Sequence, residues 1–117
     1  MDCMDLLNEL NHTPMINVVI HVRGDQQHKE LVHHLLHHKL VASASIDENN
    51  VLYKLNGDHV AEEVYHVITC QSKALLFDDI VEVIEQQLGE RTAVYSTPIV
   101  GANGYFNDSV KRRTLLA

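Results

Sequence analysis

MINVVIHVRGDQQHKELVHHLLHHKLVASASI, residues 15 to 46, changes its hydrophobic period twice. From Met15 to Arg23, Ile16, Val18, Ile20 and Val22 fall on alternate positions, the period of a strand with one face buried. Gly24 and Asp25 break the run, and the Asp25 carboxylate is placed to cap a helix that follows. Over residues 26 to 40 the spacing turns helical, with Leu31, Val32, Leu35, Leu36 and Leu40 gathering on one side. Val41 to Ile46 is again short, small and β-branched, which predicts a second strand.

Outward from this unit the pattern repeats in a new order. Asp47 to Asn50 reads as a polar turn and Val51 to Leu55 as a strand. Asn56-Gly57 is a hairpin signal, because both residue types tolerate φ > 0. The return strand runs from about Val60 to Cys70. Ser72 is placed to cap a helix to Leu88, in which Leu76, Ile80, Ile84 and Leu88 recur every four residues and Gly89 marks the stop. Thr92 to Val100 predicts a last strand, whose Pro98 argues for a sheet edge. A short helix follows around Tyr105 to Arg113. The order is β-α-β-β-α-β with a terminal helix: an α+β, ferredoxin-like antiparallel sheet with helices on one face. Residues 1 to 14 read as an N-terminal extension with weak helical spacing, and residues 15 to 117 as the domain.

With 117 residues the chain has room for one core. Its formal charge of −7, with Lys and Arg scattered apart from Lys111, Arg112 and Arg113, argues against a nucleic-acid partner. No apolar run is long enough to span a bilayer, which argues against a membrane partner. Met1 to Pro14 carries Asp2, Asp5 and Glu9 in place of a basic and then apolar leader, so a cytoplasmic location is expected. A sheet with β-branched residues on both faces needs a second cover, which in so short a chain other copies of itself can supply.

Histidine is the chemistry that stands out: nine in all, with His33, His34, His37 and His38 bunched on the predicted first helix. On a helical wheel Glu30, His33, His34 and His37 lie opposite the leucines. Residues four apart are neighbours, so His33 with His37 can chelate one cation and Glu30 can add an oxygen; His34 with His38 offers a second pair. Imidazole suits Zn²⁺, Cu²⁺ and Ni²⁺, so a divalent transition metal is the candidate cofactor. The competing reading is a solvated face, since one helix supplies only part of a closed ligand set.

Little else points to chemistry. Glu30-x-x-His33-His34 lacks the spacing of a zinc-peptidase helix, and no nucleophile elbow or phosphate-cradling glycine loop is present. Asp47-Glu48, Glu62-Glu63 and Asp78-Asp79 read as solvated surface, Cys70 as a core residue and Cys3 as a tail thiol. No enzyme is therefore expected. A site in which Ser43 or Cys70 meets His21 or His66 would reverse that expectation.

The run Leu40-Val41-Ala42-Ser43-Ala44-Ser45-Ile46 resembles the CutA family segment in which a helix ends in Leu-Ala-Ala-Cys-Val-Asn-Ile. Tyr53-Lys54-Leu55-Asn56-Gly57 resembles that family's Tyr-x-Trp-x-Gly hairpin. Pro98-Ile99, Ala102-Asn103 and Phe106 resemble its late Pro-Ile, turn and aromatic helix. Order and gaps agree from Met15 to about Arg113. The departures are Ser43 for the family's cysteine, Leu55 for its tryptophan, Thr69-Cys70 for its Lys-Thr, and the absence of its His-Pro-Tyr-Glu-x-Pro run.

The resemblance implies a PII-like homotrimer connected to divalent metal tolerance and the response to metal ions, with clefts between subunits. The alternative it implies is a regulatory module that binds a small anionic or nucleotide-like ligand in those clefts. Ser43, Ser45 and Tyr53 are the expected cleft residues.

Overall fold

The computed structural model describes residues 14–115. The expected extension lies outside the described residues save for Pro14, whose carbonyl accepts a hydrogen bond from the Ala74 amide at 2.9 Å. The elements are β1 (Met15–Arg23), α1 (His28–His37), β2 (Ser43–Asn56), β3 (His59–Lys73), α2 (Phe77–Leu88), β4 (Ala93–Ile99) and α3 (Gly104–Arg113). The sheet order is β2-β3-β1-β4, with every pairing antiparallel. This is the ferredoxin-like arrangement, and β4 with its Pro98 is an edge strand as the proline requires.

The alternation read in β1 sorts its side chains as expected. Ile16, Val18, Ile20 and Val22 are buried with Leu31, Val32 and Leu35 of α1, Ile68 and Cys70 of β3, and Ile80 and Ile84 of α2. Met15, on the other parity, belongs to a smaller cluster with Ala42, Val110, Ile99 and Phe106, so α3 covers one end of the opposite sheet face. Asn103 caps α3, its side chain accepting from the Phe106 amide at 2.9 Å.

Several local expectations need correction. Asp47 to Asn50 is not a turn. The two short strands expected on either side of it form one strand, β2, because the run pairs with β3 throughout and the extra residues are absorbed as a bulge between Asp47 and Asn50. The tight connection is Gly57-Asp58, one residue later than the dipeptide suggested, with φ +67 at Gly57. Asp25 caps nothing: α1 opens after Gln27 without a side-chain cap. It ends at His37, where Lys39 takes φ 57 and the Leu40 amide bonds back to the Leu35 carbonyl. Leu36, placed on the buried side in sequence, is exposed.

Ser72 is not a cap either. It lies in β3, fully buried, and donates to the Leu40 carbonyl at 2.5 Å. A one-turn 3₁₀ segment, Ala74–Leu76, leads into α2 in its place.

Beyond the sheet proper, β2 and β3 continue as a two-stranded arm. Its presence explains a radius of gyration of 16.7 Å and a longest dimension of 59 Å, where a rounded domain of this length has a radius of about 13 Å.

Candidate functional site

The bulge in β2 is where the elements converge. Asp47 pairs with Val67 and Asn50 with Tyr65, so Glu48 and Asn49 together face the single residue His66. Asn49 absorbs the extra length at φ 61, a region open to Asn at small cost. Glu48 shares the parity of Ile46, on the helix-covered face of the sheet and beside His66, which pairs with buried Val22; the bulge shifts the parity of the residues after it. Gly24 and the following turn then return the chain so that α1 begins with His28 against the same spot.

The three side chains come together there. His28, Glu48 and His66 each present a donor atom, and these atoms lie within 4.8 Å of one another. The imidazoles of His28 and His66 stack with centroids 3.8 Å apart. His28 Nε2 stands 3.6 Å from a Glu48 carboxylate oxygen. His66 is buried; its Nδ1 accepts from the Asn49 amide at 3.2 Å, and Nε2 faces the Gly24 carbonyl at 3.4 Å. His28 Nδ1 faces the Gln26 carbonyl at 3.5 Å, while its Nε2 is buried with no hydrogen-bond partner. Lys29 Nζ reaches the other Glu48 oxygen at 3.9 Å. Two imidazoles and a carboxylate are a donor set for a borderline divalent metal ion.

The residues singled out in sequence are arranged differently. His33 and His37 are exposed on α1 with ring centroids 6.4 Å apart, and His34 and His38 are 4.2 Å apart. Glu30 and His34 share a shallow groove with Gln27, Gln87 and Leu88. Ser43 and Ser45 are exposed on the sheet face opposite α1 and α2; Ser43 Oγ donates to Gln71 Oε1 at 2.5 Å and Ser45 Oγ to the Thr69 carbonyl at 3.4 Å. Tyr53 lies out on the arm, exposed. Cys70 Sγ points at the Val18 carbonyl, 3.6 Å away, and burial pushes its thiol up to about 12. Among the described residues neither Ser43 nor Cys70 is bonded to a histidine.

A groove of about 240 Å³ lies between β1, β3 and the segment after α2, with His21, Arg23, Tyr65, Leu88, Arg91 and Thr92 among its walls. At the root of the arm the Tyr65 hydroxyl donates to Glu63 at 2.7 Å and Lys54 Nζ lies 3.5 Å from the same oxygen. The tyrosine hydrogen bond first, and then the lysine charge, hold the Glu63 carboxyl below its ordinary range.

The sequence did not single out His28 and Glu48 as candidate ligands and offered His66 only as a partner for a nucleophile. The missing signal was register: once the hairpin is paired back from Gly57, Asp47 to Asn50 has to oppose His66 and its neighbours.

The arrangement belongs to the class of small α+β proteins with a ferredoxin-like sheet and a projecting β2–β3 arm. Within that class the chain has the fold of the CutA1 proteins. It is similar to the divalent ion tolerance protein CutA1 from Ehrlichia chaffeensis at TM-score 0.82 and 18% identity, over 91% of this chain and 100% of that one. CutA1 from Oryza sativa matches at TM-score 0.82 and 19% identity, over 90% and 97% of the two chains. The periplasmic divalent cation tolerance protein CutA from Archaeoglobus fulgidus matches at 0.77 and 12%, over 85% and 97%. No protein-family model matches the sequence, and no curated protein matches it significantly. Among the described residues no helix is long and apolar enough to cross a membrane.

Proposed function

We propose that this chain is a divergent CutA-like protein: a non-catalytic, cytoplasmic homotrimer that binds divalent metal ions and serves the cell's tolerance of them. The observation that carries the reading is the likeness to CutA1 structures over about nine-tenths of the chain. Two features of the chain support it. The arm leaves Val51, Tyr53, Leu55, Val60 and Val64 exposed, and β2 is an unpaired sheet edge along its full length. A long apolar edge is an aggregation hazard unless a partner covers it, and a second copy of the chain is the partner always at hand. The imidazole-rich surface of α1, with its His33–His37 and His34–His38 pairs and Glu30, adds places where an ion can dock.

A second reading is a regulatory module that binds a small anionic or nucleotide-like ligand between subunits. The groove with Arg23 and Arg91 on its walls favours it, and Ser43, Ser45 and Tyr53 would add hydroxyls where β2 meets another copy. Native mass spectrometry of tag-free protein, alone and with Zn²⁺, Cu²⁺, Ni²⁺ or Mg²⁺, separates the two. A trimer that takes up a fixed number of transition-metal ions per chain is the expected result. A trimer with graded, non-stoichiometric uptake favours the anionic ligand, and a monomer removes the assembly.

A further inference from the structure

We propose that His28, Glu48 and His66 form a mononuclear site for a divalent transition metal ion of the zinc class, tying the start of α1 to the β2 bulge and to β3. The inference rests on the divalent-ion reading above and names the place where the ion is held. Its starting point is an unsatisfied atom. If His28 Nδ1 donates to the Gln26 carbonyl, Nε2 carries a lone pair, and that lone pair is buried and faces a carboxylate oxygen 3.6 Å away. A buried imidazole lone pair turned toward a half-exposed carboxylate is a place that suits a cation.

A proton on Nε2 would satisfy this pair alone, with His66 keeping its contacts to Asn49 and Gly24. A metal ion engages all three donors. Either His66 contact is long, at 3.2 and 3.4 Å, so one nitrogen can turn to the ion while the other keeps its hydrogen bond and holds the ring. Donors around a tetrahedral zinc ion sit about 3.4 Å apart; from the present spread of up to 4.8 Å and the stacked ring arrangement, binding turns the imidazoles toward the ion. Glu48 is 44% exposed, which leaves a route for the ion and a coordination position open to water. Lys29, at 3.9 Å from Glu48, is the charge the ion displaces.

The donors come from separate elements and not from one helix, which is what a closed site requires and what the His33–His37 pair lacks. The bulge lies at the same spot: its extra residue brings the Asn49 amide onto His66 Nδ1, which orients the ring.

The test is Zn²⁺ and Co²⁺ binding to tag-free protein, read by native mass spectrometry, by competition with a chelating dye, by the visible Co²⁺ spectrum and by the melting temperature. One ion per chain, a nitrogen-ligated Co²⁺ spectrum and a raised melting temperature are expected. His28→Gln and Glu48→Gln should each weaken Zn²⁺ at least about 100-fold and abolish the thermal shift, with circular dichroism confirming that each variant is folded. His33→Ala/His37→Ala should remove only weak additional uptake at the α1 surface and leave the affinity of the first ion and the thermal shift unchanged. His66→Gln is a third variant, read only if its circular dichroism matches the parent. Full-affinity binding retained in His28→Gln and Glu48→Gln overturns the site. Loss of the first ion in His33→Ala/His37→Ala overturns it while leaving the divalent-ion function standing. No uptake by the unaltered protein overturns both.

Discussion

If the chain assembles as the trimer proposed above, replacing Leu55 and Val60 together by glutamate should take it apart without unfolding the subunit. The two residues pair across the end of the arm and are 77% and 65% exposed in the single chain. Fully burying a side chain of this kind contributes roughly 2 kcal/mol, so covering their exposed fractions is worth about 3 kcal/mol per chain and about 9 kcal/mol per trimer. At about 1.4 kcal/mol per tenfold, that is roughly six decades in the assembly constant. For a trimer the concentration at half-assembly varies as the square root of that constant, so it rises about a thousandfold. Even a third of the energy raises it about tenfold. Light scattering on a sizing column, across a dilution series, reads the mass directly. Far-UV circular dichroism and the melting transition of the variant check that the core, which neither residue touches, is intact. A variant that keeps the parent's mass at every dilution refutes the argument that the arm's apolar face drives assembly.

Other substitutions probe the subunit itself. Ser72→Ala leaves the Leu40 carbonyl without its buried donor and should cost about 1–3 kcal/mol in urea unfolding; an unchanged midpoint would mean that the carbonyl finds another partner. Gly89→Ala forces a Cβ into φ +97 at the end of α2 and should destabilise by about 1 kcal/mol or more, even though no atom lies within 4 Å of the new methyl. The Cys70 thiol, raised from an ordinary 9.0 to about 12, stays protonated in the fold while the unfolded chain ionises. The unfolded state then binds fewer protons, so this residue's contribution to stability is present below pH 9 and is lost as pH rises toward 12. Cys70→Ala should show a shallower alkaline fall than the parent, and native protein at pH 8 should react with thiol reagents at Cys70 only as fast as it opens.

The cluster at the bulge and the arm act on the same strand. Glu48 lies on the stretch of β2 that leads into Val51, Tyr53 and Leu55, so an ion fixed between α1, β2 and β3 would hold the root of the arm that the proposed trimer would cover.

What the sequence determined by itself was everything carried by short-range periodicity. The alternation of Ile16, Val18, Ile20 and Val22, the helical spacing of Leu31, Val32 and Leu35, and the four-residue recurrence of Ile80 and Ile84 each specify an element and its buried face, because burial selects on those periods alone. The order of the elements then leaves few topologies, and the observed sheet is one of them. Pro98 at an edge and Gly89 at a helix end were legible for the same local reason.

Only the tertiary structure decided what depends on register. Asp47-Glu48-Asn49-Asn50 has the composition of a turn, and its local preference is overruled by continuous pairing with β3, which turns a loop into a bulge. Ser72 has the chemistry of a cap and is spent inside the core on Leu40. His28, Glu48 and His66 meet because a bulge, a strand pairing and a helix start coincide in space. No spacing along the chain encodes that coincidence, whereas His33 and His37 were conspicuous because one helix turn is visible in sequence.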